Sequence, residues 1–212
     1  MHDCTYKVMN VYHIEENLHM DAHSNKELAQ QSVRRKRRYD PQRRERLISI
    51  TLDIIEQYGV AGTSSRKVAE MADVSLGSLT YYFESINQLI AEAFILLSFK
   101  ISNEFSEILG AAETREQALL AVVDIIDRKI WGSPRTLTLS FELYTFVSRN
   151  PQLKALTQSW MKQSRMALEQ HFTPPTARAI DALIEGIGIH NYFGLDPMAR
   201  ADIEQLVRKI AS

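Results

Sequence analysis

Apolar residues recur every three to four positions along most of the chain after residue 38, which is the spacing of one face of an α-helix. No segment shows the alternation of apolar and polar residues between hairpin turns that is typical of β-strands. The sequence therefore predicts an all-α protein without an internal repeat. About nine helices are expected, at 41–57, 65–72, 76–83, 86–109, 115–131, 134–149, 151–171, 174–193 and 197–210.

Capping residues mark the starts of these helices. Two starts carry capping boxes, Ser85 with Gln88 and Thr114 with Gln117. At five others a polar side chain that can accept a backbone N–H precedes a proline, which loses no hydrogen bond at the first helical position. These pairs are Asp40-Pro41, Ser133-Pro134, Asn150-Pro151, Thr173-Pro174 and Asp196-Pro197.

The segment that begins at Ser65 has the spacing of a helix-turn-helix, in which two helices cross over a tight turn. With Ser65 as position one, a small residue, Ala69, stands at position five, where the helices touch. Position nine requires a residue that tolerates a positive φ, and Asp73 does so less readily than glycine. Ser75 then caps the second helix. The unit is closed by apolar residues at positions four, eight, ten, fifteen and eighteen, namely Val68, Ala72, Val74, Leu79 and Tyr82.

The second helix of this unit has an outer side suited to DNA. If Leu79 and Tyr82 face inward, the opposite side presents Gly77 and Tyr81 with their neighbours. Gly77 has no side chain, so a phosphate or a base edge can approach closely. Tyr81 offers a hydroxyl to a phosphate and a ring edge to thymine methyl groups. The alternative is that the aromatic residues pack on the following helix, which we expect of Tyr82 and Phe83.

The net charge of −1 conceals a basic block. Residues 34–46 hold eight Lys or Arg against two acidic residues, a net charge of +6, whereas 1–33 sum to −3 and 47–212 to −4. Such a block attracts nucleic acid or an anionic membrane surface, or is simply a solvated helix start. The sequence shows neither a signal peptide nor an apolar run long enough to span a membrane. The single cysteine, Cys4, excludes an intramolecular disulfide, and these features predict a cytoplasmic protein.

The stretch GTSSRKVAEMADVSLGSLTYYFESINQL resembles the N-terminal domain of TetR/AcrR-type transcriptional regulators. The resemblance covers residues 38–89. It implies a helix-turn-helix DNA-binding domain over 34–85 and a helical effector-binding and dimerisation domain over 86–212. Residues 1–33 show no sustained period and are expected to be a flexible tail. The resemblance further implies a homodimer that binds a palindromic operator in double-stranded DNA, most often as a repressor. Its effector would be a small and largely apolar molecule.

The resemblance assigns DNA contacts residue by residue. Three departures from the family pattern remove expected features: Thr80 replaces a usual tyrosine, Ile86 replaces a usual phosphate-binding lysine, and Asp73 replaces the turn glycine. The arginine block could compensate for the lost phosphate contact. The predicted DNA-binding residues are Arg34, Arg35, Arg37, Arg38, Arg43, Ser64, Ser65, Arg66, Lys67, Ser75, Leu76, Gly77, Ser78, Thr80, Tyr81 and Tyr82.

The C-terminal half carries candidates for the effector site and the dimer interface. For the aromatic and methionine residues, ordinary core packing is the alternative to a ligand site. Arg128, Arg135 and Glu142 are possible polar anchors for an effector. The predicted ligand-binding residues are Trp131, Phe141, Tyr144, Trp160, Met161 and His190. The predicted dimer contacts are Ile180, Ile184, Gly186, Ile187, Gly188, Ile203, Leu206 and Ile210.

Two other classes of function remain to be weighed. An enzyme is disfavoured, because the sequence has no paired histidine motif on a helix, no nucleophile elbow and no glycine-rich phosphate loop. A helical adaptor that has lost specific DNA binding stays open because of Thr80 and Ile86. His19 and His23 have a spacing that could hold a metal, but nothing fixes them, so neither a metal site nor a cofactor is expected.

Overall fold

The computed structural model describes residues 42–129 and 133–212, and within these ranges it is entirely helical apart from turns and connections. A π-helical turn, Ile125–Lys129, follows α5, and a 3-10 turn, Pro151–Leu153, precedes α7. The α-helices are α1 Arg43–Tyr58, α2 Ser65–Met71, α3 Leu76–Tyr82, α4 Ile86–Gly110, α5 Arg115–Asp124, α6 Pro134–Arg149, α7 Lys154–Leu168, α8 Pro174–Phe193 and α9 Arg200–Ala211.

Both capping boxes are confirmed. The Ser85 hydroxyl accepts a hydrogen bond from Gln88 N at 3.1 Å, and the Gln88 side-chain oxygen accepts from the preceding Glu84 N at 2.7 Å. Thr114 and Gln117 repeat this exchange at the start of α5. These side chains satisfy backbone N–H groups that a helix start leaves without partners, and so they fix where α4 and α5 begin.

The proline starts are confirmed only in part. Ser133 and Thr173 cap α6 and α8 as predicted. The Asn150 side chain instead donates to Phe146 O at 2.8 Å, so it closes α6 and does not cap the next helix. The start predicted at Asp196 is wrong, because α9 begins at Arg200 without a side-chain cap. The pair Asp40-Pro41 lies outside the described residues.

Helix α4 is the central element of the core. It packs against α1 on one side and α7 on another. Phe94, at its middle, is completely buried, and its ring centroid lies 5.6 Å from that of Phe146 on α6. The buried apolar residues form one cluster that extends from Leu47 on α1 to Ala211 on α9. The helix-turn-helix therefore shares its core with the rest of the described chain.

Helix α6 is attached to α1 at two places. The Arg135 guanidinium lies between two carboxylates of α1, at 2.6 Å from Asp53 and also in contact with Glu56. Seven residues further along α6, the Glu142 carboxylate accepts a hydrogen bond from Val60 N at 2.8 Å, just beyond the end of α1. Arg135 and Glu142, which the sequence suggests as effector anchors, thus attach α6 to α1 and to the connection that follows α1.

Within the described ranges, no single helix is long and apolar enough to cross a membrane. Taken together, α3 and α4 meet the length and composition of a span, but they are bent by 66° relative to each other.

Candidate nucleic-acid interface

The turn between α2 and α3 has the predicted geometry. Asp73 adopts a φ of 51°, and it is the one non-glycine residue in the described ranges with a positive φ. Val74 N donates to Ala69 O at 3.0 Å across the turn, and the Ser75 hydroxyl accepts from Ser78 N at 3.2 Å to cap α3. An aspartate therefore fills the role for which the family pattern has a glycine, at the cost of some strain.

The inner face of the helix-turn-helix is the one that the spacing predicts. Leu79 anchors α3 in the core, and Val74 and Tyr82 pack partly buried at its edge. The Tyr82 ring also contacts the rings on either side of it in the sequence, with centroids 5.1 Å from Tyr81 and 6.4 Å from Phe83. The buried residues on α2 and in the turn are Val68, Ala69 and Ala72.

The outer face of α3 is open to solvent. Tyr81 exposes 83% of its surface and Leu76 exposes 46%. A Cβ built on Gly77 would meet no atom within 4 Å. Thr80 is exposed, but its hydroxyl donates to Gly77 O at 3.2 Å within the same helix. A duplex can therefore reach this face without displacing any side chain of the core.

The first turn of α2 places polar and cationic groups beside this face. The Ser64 hydroxyl accepts from Lys67 N at 3.3 Å and caps the helix, and Arg66 projects into solvent. The Lys67 ammonium lies 3.7 Å from the centre of the Tyr58 ring. Among the other predicted contacts, Ser75 is exposed, while Arg43, Ser65 and Ser78 are half-buried. Arg34, Arg35, Arg37 and Arg38 lie outside the described residues.

Helices α6, α7 and α8 bring some of the predicted effector residues together. Tyr144 on α6 and Trp160 on α7 are stacked, with ring centroids 6.0 Å apart and an angle of 19° between the planes. Phe141 instead pairs with Phe193 at the end of α8, at 5.6 Å. Met161 is half-buried and His190 is exposed. Trp131 and the side chain of Arg128 lie outside the described residues.

Two carboxylates that the sequence analysis did not select lie beside this aromatic stack. The Tyr144 hydroxyl donates to Glu185 on α8 at 2.7 Å. Burial raises the pKa of Glu185, although the hydrogen bond from Tyr144 opposes this, and burial and Glu185 together raise the pKa of Tyr144. Burial and the charge of Glu185 raise the pKa of Asp181 to about 6, against the opposing charge of Arg165. The region therefore concentrates negative charge in a poorly solvated place.

We expect Asp181→Asn to stabilise the protein at neutral pH. A folded-state pKa of about 6, above the ordinary 3.8, means that stability falls as the pH rises between these two values. This difference in pKa would correspond to about 3 kcal/mol in a fully buried group. Because Asp181 is partly open to solvent, we expect about 1–2 kcal/mol.

Urea unfolding of both chains at pH 4.5 and pH 7.5 measures this effect. The advantage of the asparagine variant should be small at pH 4.5 and larger at pH 7.5. The control is Asp196→Asn, which makes the same change at an exposed residue of the α8–α9 connection. An Asp181→Asn variant that is equally or less stable at pH 7.5 would show that ionised Asp181 is well solvated or well paired.

A pocket of about 720 Å³ lies near the same face of α8. It is bounded by the π-helical turn after α5, the start of α6, the last turns of α8 and the segment that leads into α9. Gly188 and Tyr192 in its wall follow Glu185 by three and seven residues, so they lie along one side of α8 with that carboxylate. Its volume is typical of sites for small organic ligands.

The predicted dimer contacts divide into two groups. Gly186, Leu206 and Ile210 are half-buried and reach the surface of α8 and α9. A Cβ built on Gly186 would meet no atom within 4 Å, so the chain itself leaves that position open. The other residues are buried inside the chain, where they hold α8 and α9 to the core: Ile180, Ile184, Ile187, Gly188 and Ile203.

Comparison with known proteins agrees with this geometry. Residues 47–93 match the family model described as bacterial regulatory proteins, tetR family. The chain is 44% identical to a transcriptional regulator of known structure, SCO7518 from Streptomyces coelicolor A3(2), with a TM-score of 0.76 over 81% of this chain and 99% of that one.

Two further relatives also match most of the chain. The multidrug binding protein EbrR, whose crystal structure contains ethidium, is 26% identical, with a TM-score of 0.67 over 80% of this chain and 99% of that one. The HTH-type transcriptional regulator BetI of Agrobacterium fabrum is 24% identical over 176 residues, which are 79% of this chain and 85% of that protein. The turn before α3, the open outer face of α3 and these relatives lead to one conclusion. The chain belongs to the tetR family of bacterial transcriptional regulators.

Proposed function

We propose that this regulator is a ligand-responsive repressor that binds a palindromic DNA operator as a homodimer. The observation that carries the proposal is the orientation of α3, which buries Leu79 and leaves Gly77 and Tyr81 open on the opposite side. A helix that is anchored on one side and bare on the other can enter a major groove without rearrangement.

The DNA contacts fall into two kinds. Gly77 and Tyr81 on α3 would meet base edges, and the neighbouring hydroxyls of Ser75 and Ser78 would bind phosphates. Arg66, at the first turn of α2, would reach the backbone or the groove edge. The functional division at residue 85, between a DNA-binding part and an effector-binding part, is likewise a proposal, since both parts share one core.

The dimer would form through the outer faces of α8 and α9. The half-buried apolar residues Leu206 and Ile210, together with the open position at Gly186, would allow two copies of these helices to approach closely. A two-fold symmetric dimer presents two recognition helices to two half-sites. The chain mass is 24.3 kDa, so sedimentation equilibrium should give twice that mass for the dimer, about 48.6 kDa.

The effector would be a largely apolar organic molecule that carries positive charge. Support comes from the stacked Tyr144 and Trp160 beside the carboxylates of Asp181 and Glu185, because aromatic faces and poorly solvated carboxylates both attract organic cations. Ethidium, which is bound in the EbrR structure, is an aromatic cation. Such a ligand would lie between α6 and α8, and α6 is attached directly to α1.

A second possibility is an adaptor that has lost specific DNA binding. It is favoured by two observations at the expected phosphate contacts. Ile86 packs against the core, and the Thr80 hydroxyl donates a hydrogen bond to Gly77 O of its own helix. Neither side chain therefore offers a free donor to a phosphate. The adaptor should bind a protein partner and leave DNA unshifted.

An electrophoretic shift assay with the DNA next to its own gene separates these functions. The regulator should bind tightly and with strong salt dependence, and Arg66→Ala or Tyr81→Ala should each weaken binding by about 5- to 150-fold, from the loss of about 1–3 kcal/mol. Arg149→Ala, at an exposed arginine of α6, is the control and should bind as the parent does. Equal affinity for all sequences, or no binding at all, would contradict specific regulation.

A further inference from the structure

Tyr58 occupies an unexpected position at the end of α1. The spacing of apolar residues places it on the buried face of that helix, yet it exposes 52% of its surface. One face of its ring is covered by the Lys67 ammonium, 3.7 Å from the ring centre. An ammonium within about 6 Å of a tyrosine ring is attracted by the negative charge of the ring face.

The connection between α1 and α2 folds tightly around the main chain of Tyr58. Gly59 ends α1 with a φ of 67°, and the Thr63 hydroxyl donates back to Gly59 O at 2.8 Å. A Cβ built on Gly62 would lie 2.3 Å from Tyr58 O and 2.8 Å from Tyr58 Cβ, so the loop is folded tightly against the tyrosine. The main chain and Cβ of Tyr58 are therefore held in place by the loop, and the ring extends from this fixed point to the Lys67 ammonium.

No acidic side chain of the described residues neutralises the charge of Lys67. Within the described part of the chain, no carboxylate lies in ion-pair distance of its ammonium, whereas Arg44 pairs with Glu92 and Arg135 pairs with Asp53. Arg66, next to it, is exposed. In a helix-turn-helix the first helix crosses the sugar-phosphate backbone, so cations at this place meet phosphates.

We propose that Tyr58 is a positioning residue for DNA binding, which holds the Lys67 ammonium where a phosphate of the operator meets it. The inference rests on the proposed function. The long lysine side chain otherwise samples many rotamers, and ordering it on the Tyr58 ring before binding removes part of the entropy cost of the contact. The phenol hydroxyl has no part in this role.

The test is a double-mutant cycle on DNA binding. The probe is a duplex that the unaltered chain selects from a random-sequence pool, compared with a scrambled duplex of equal length. Tyr58→Leu should weaken binding by about two- to fivefold per chain. Lys67→Met should weaken it more and reduce the log–log salt slope by about two for a dimer, because each chain loses one phosphate contact.

Three results would together support the role of Tyr58. Tyr58→Leu should have no further effect on binding in the Lys67→Met background. Tyr58→Phe should bind as the unaltered chain does, because it keeps the ring. The loss of affinity in Tyr58→Leu and in Lys67→Met should be equal on both duplexes, because phosphates carry no sequence information. Lys162→Met, at an exposed lysine of α7, is the matched control and should leave the salt slope unchanged. Thermal unfolding monitored by circular dichroism checks that each variant is folded.

Other results would overturn the inference. If Tyr58→Phe weakens binding as much as Tyr58→Leu, the hydroxyl itself contacts DNA. If the two losses simply add, or affect only the selected duplex, the ring does not act through Lys67 on a phosphate. Failure of the unaltered chain to select any duplex would instead contradict the proposed function, so the two failures are distinguishable.

Discussion

Replacing Gly77 by leucine should abolish specific DNA binding while leaving the chain folded and slightly more stable. The position is open on the protein side, since a Cβ there meets no atom within 4 Å. Leucine is favoured over glycine in a helix by about 0.5–1 kcal/mol, so the free energy of unfolding should rise by up to that amount. In the complex, however, the new side chain would occupy the space that the DNA needs.

The expected loss of affinity is large because the change acts twice in a dimer. Disturbing the base contacts at one half-site costs about 1–3 kcal/mol, so two half-sites lose about 2–6 kcal/mol, or roughly 30-fold to more than 10,000-fold in affinity. A shift assay and a urea titration on the same preparation measure the two opposite effects. Gly110→Leu, at the equally open end of α4, is the control and should leave DNA binding unchanged. A Gly77→Leu variant that binds its operator normally would exclude this face of α3 from the interface.

Phe94→Ala should cause the largest loss of stability. The Phe94 side chain is completely buried at the centre of α4 and packs on Phe146, so truncation leaves a cavity as well as removing apolar contacts. Such a change costs about 3–5 kcal/mol, a large part of the 5–15 kcal/mol that usually stabilises a domain. For a chain of this size the melting temperature should fall by about 6–20 °C.

A second phenylalanine of α4 provides the matched control. Phe99 exposes 51% of its surface, and Phe99→Ala should change the free energy of unfolding by less than about 1 kcal/mol. Calorimetry of both variants makes the comparison. Because α1 and the body share the core around α4, the Phe94 variant should lose DNA binding and body structure at the same temperature. Separate transitions would show that the helix-turn-helix unfolds independently.

The fold was predictable because local signals agree along most of the chain. Capping residues located the starts of α4, α5, α6 and α8 within one residue, and the positive φ at Asp73 followed from the helix-turn-helix spacing. The prediction failed at Asp196, where the proline does not open a helix and the connection to α9 instead lines the pocket. A capping pair shows where a helix can begin, but tertiary contacts decide whether it does.

The candidate site was predictable where it depends on one short segment and not where it depends on distant ones. The open face of α3 follows from the positions of Leu79 and Tyr82. The environment of Asp181 and Glu185 does not, because two carboxylates four residues apart are typical of a solvated helix face, and only the packing of α6 and α7 buries them. The exposure of Tyr58 does not follow from the sequence either, since tyrosine fits an apolar pattern whether its ring is covered by the core or by an ammonium.

The two attachments between α6 and α1 have a mechanical consequence. Arg135 and Glu142 are seven residues apart on α6, or roughly 10 Å along its axis, and they hold Asp53 of α1 and Val60 just beyond it. Two anchor points define a line, so α1 cannot swivel freely against α6. A rotation about that line would leave both attachments intact.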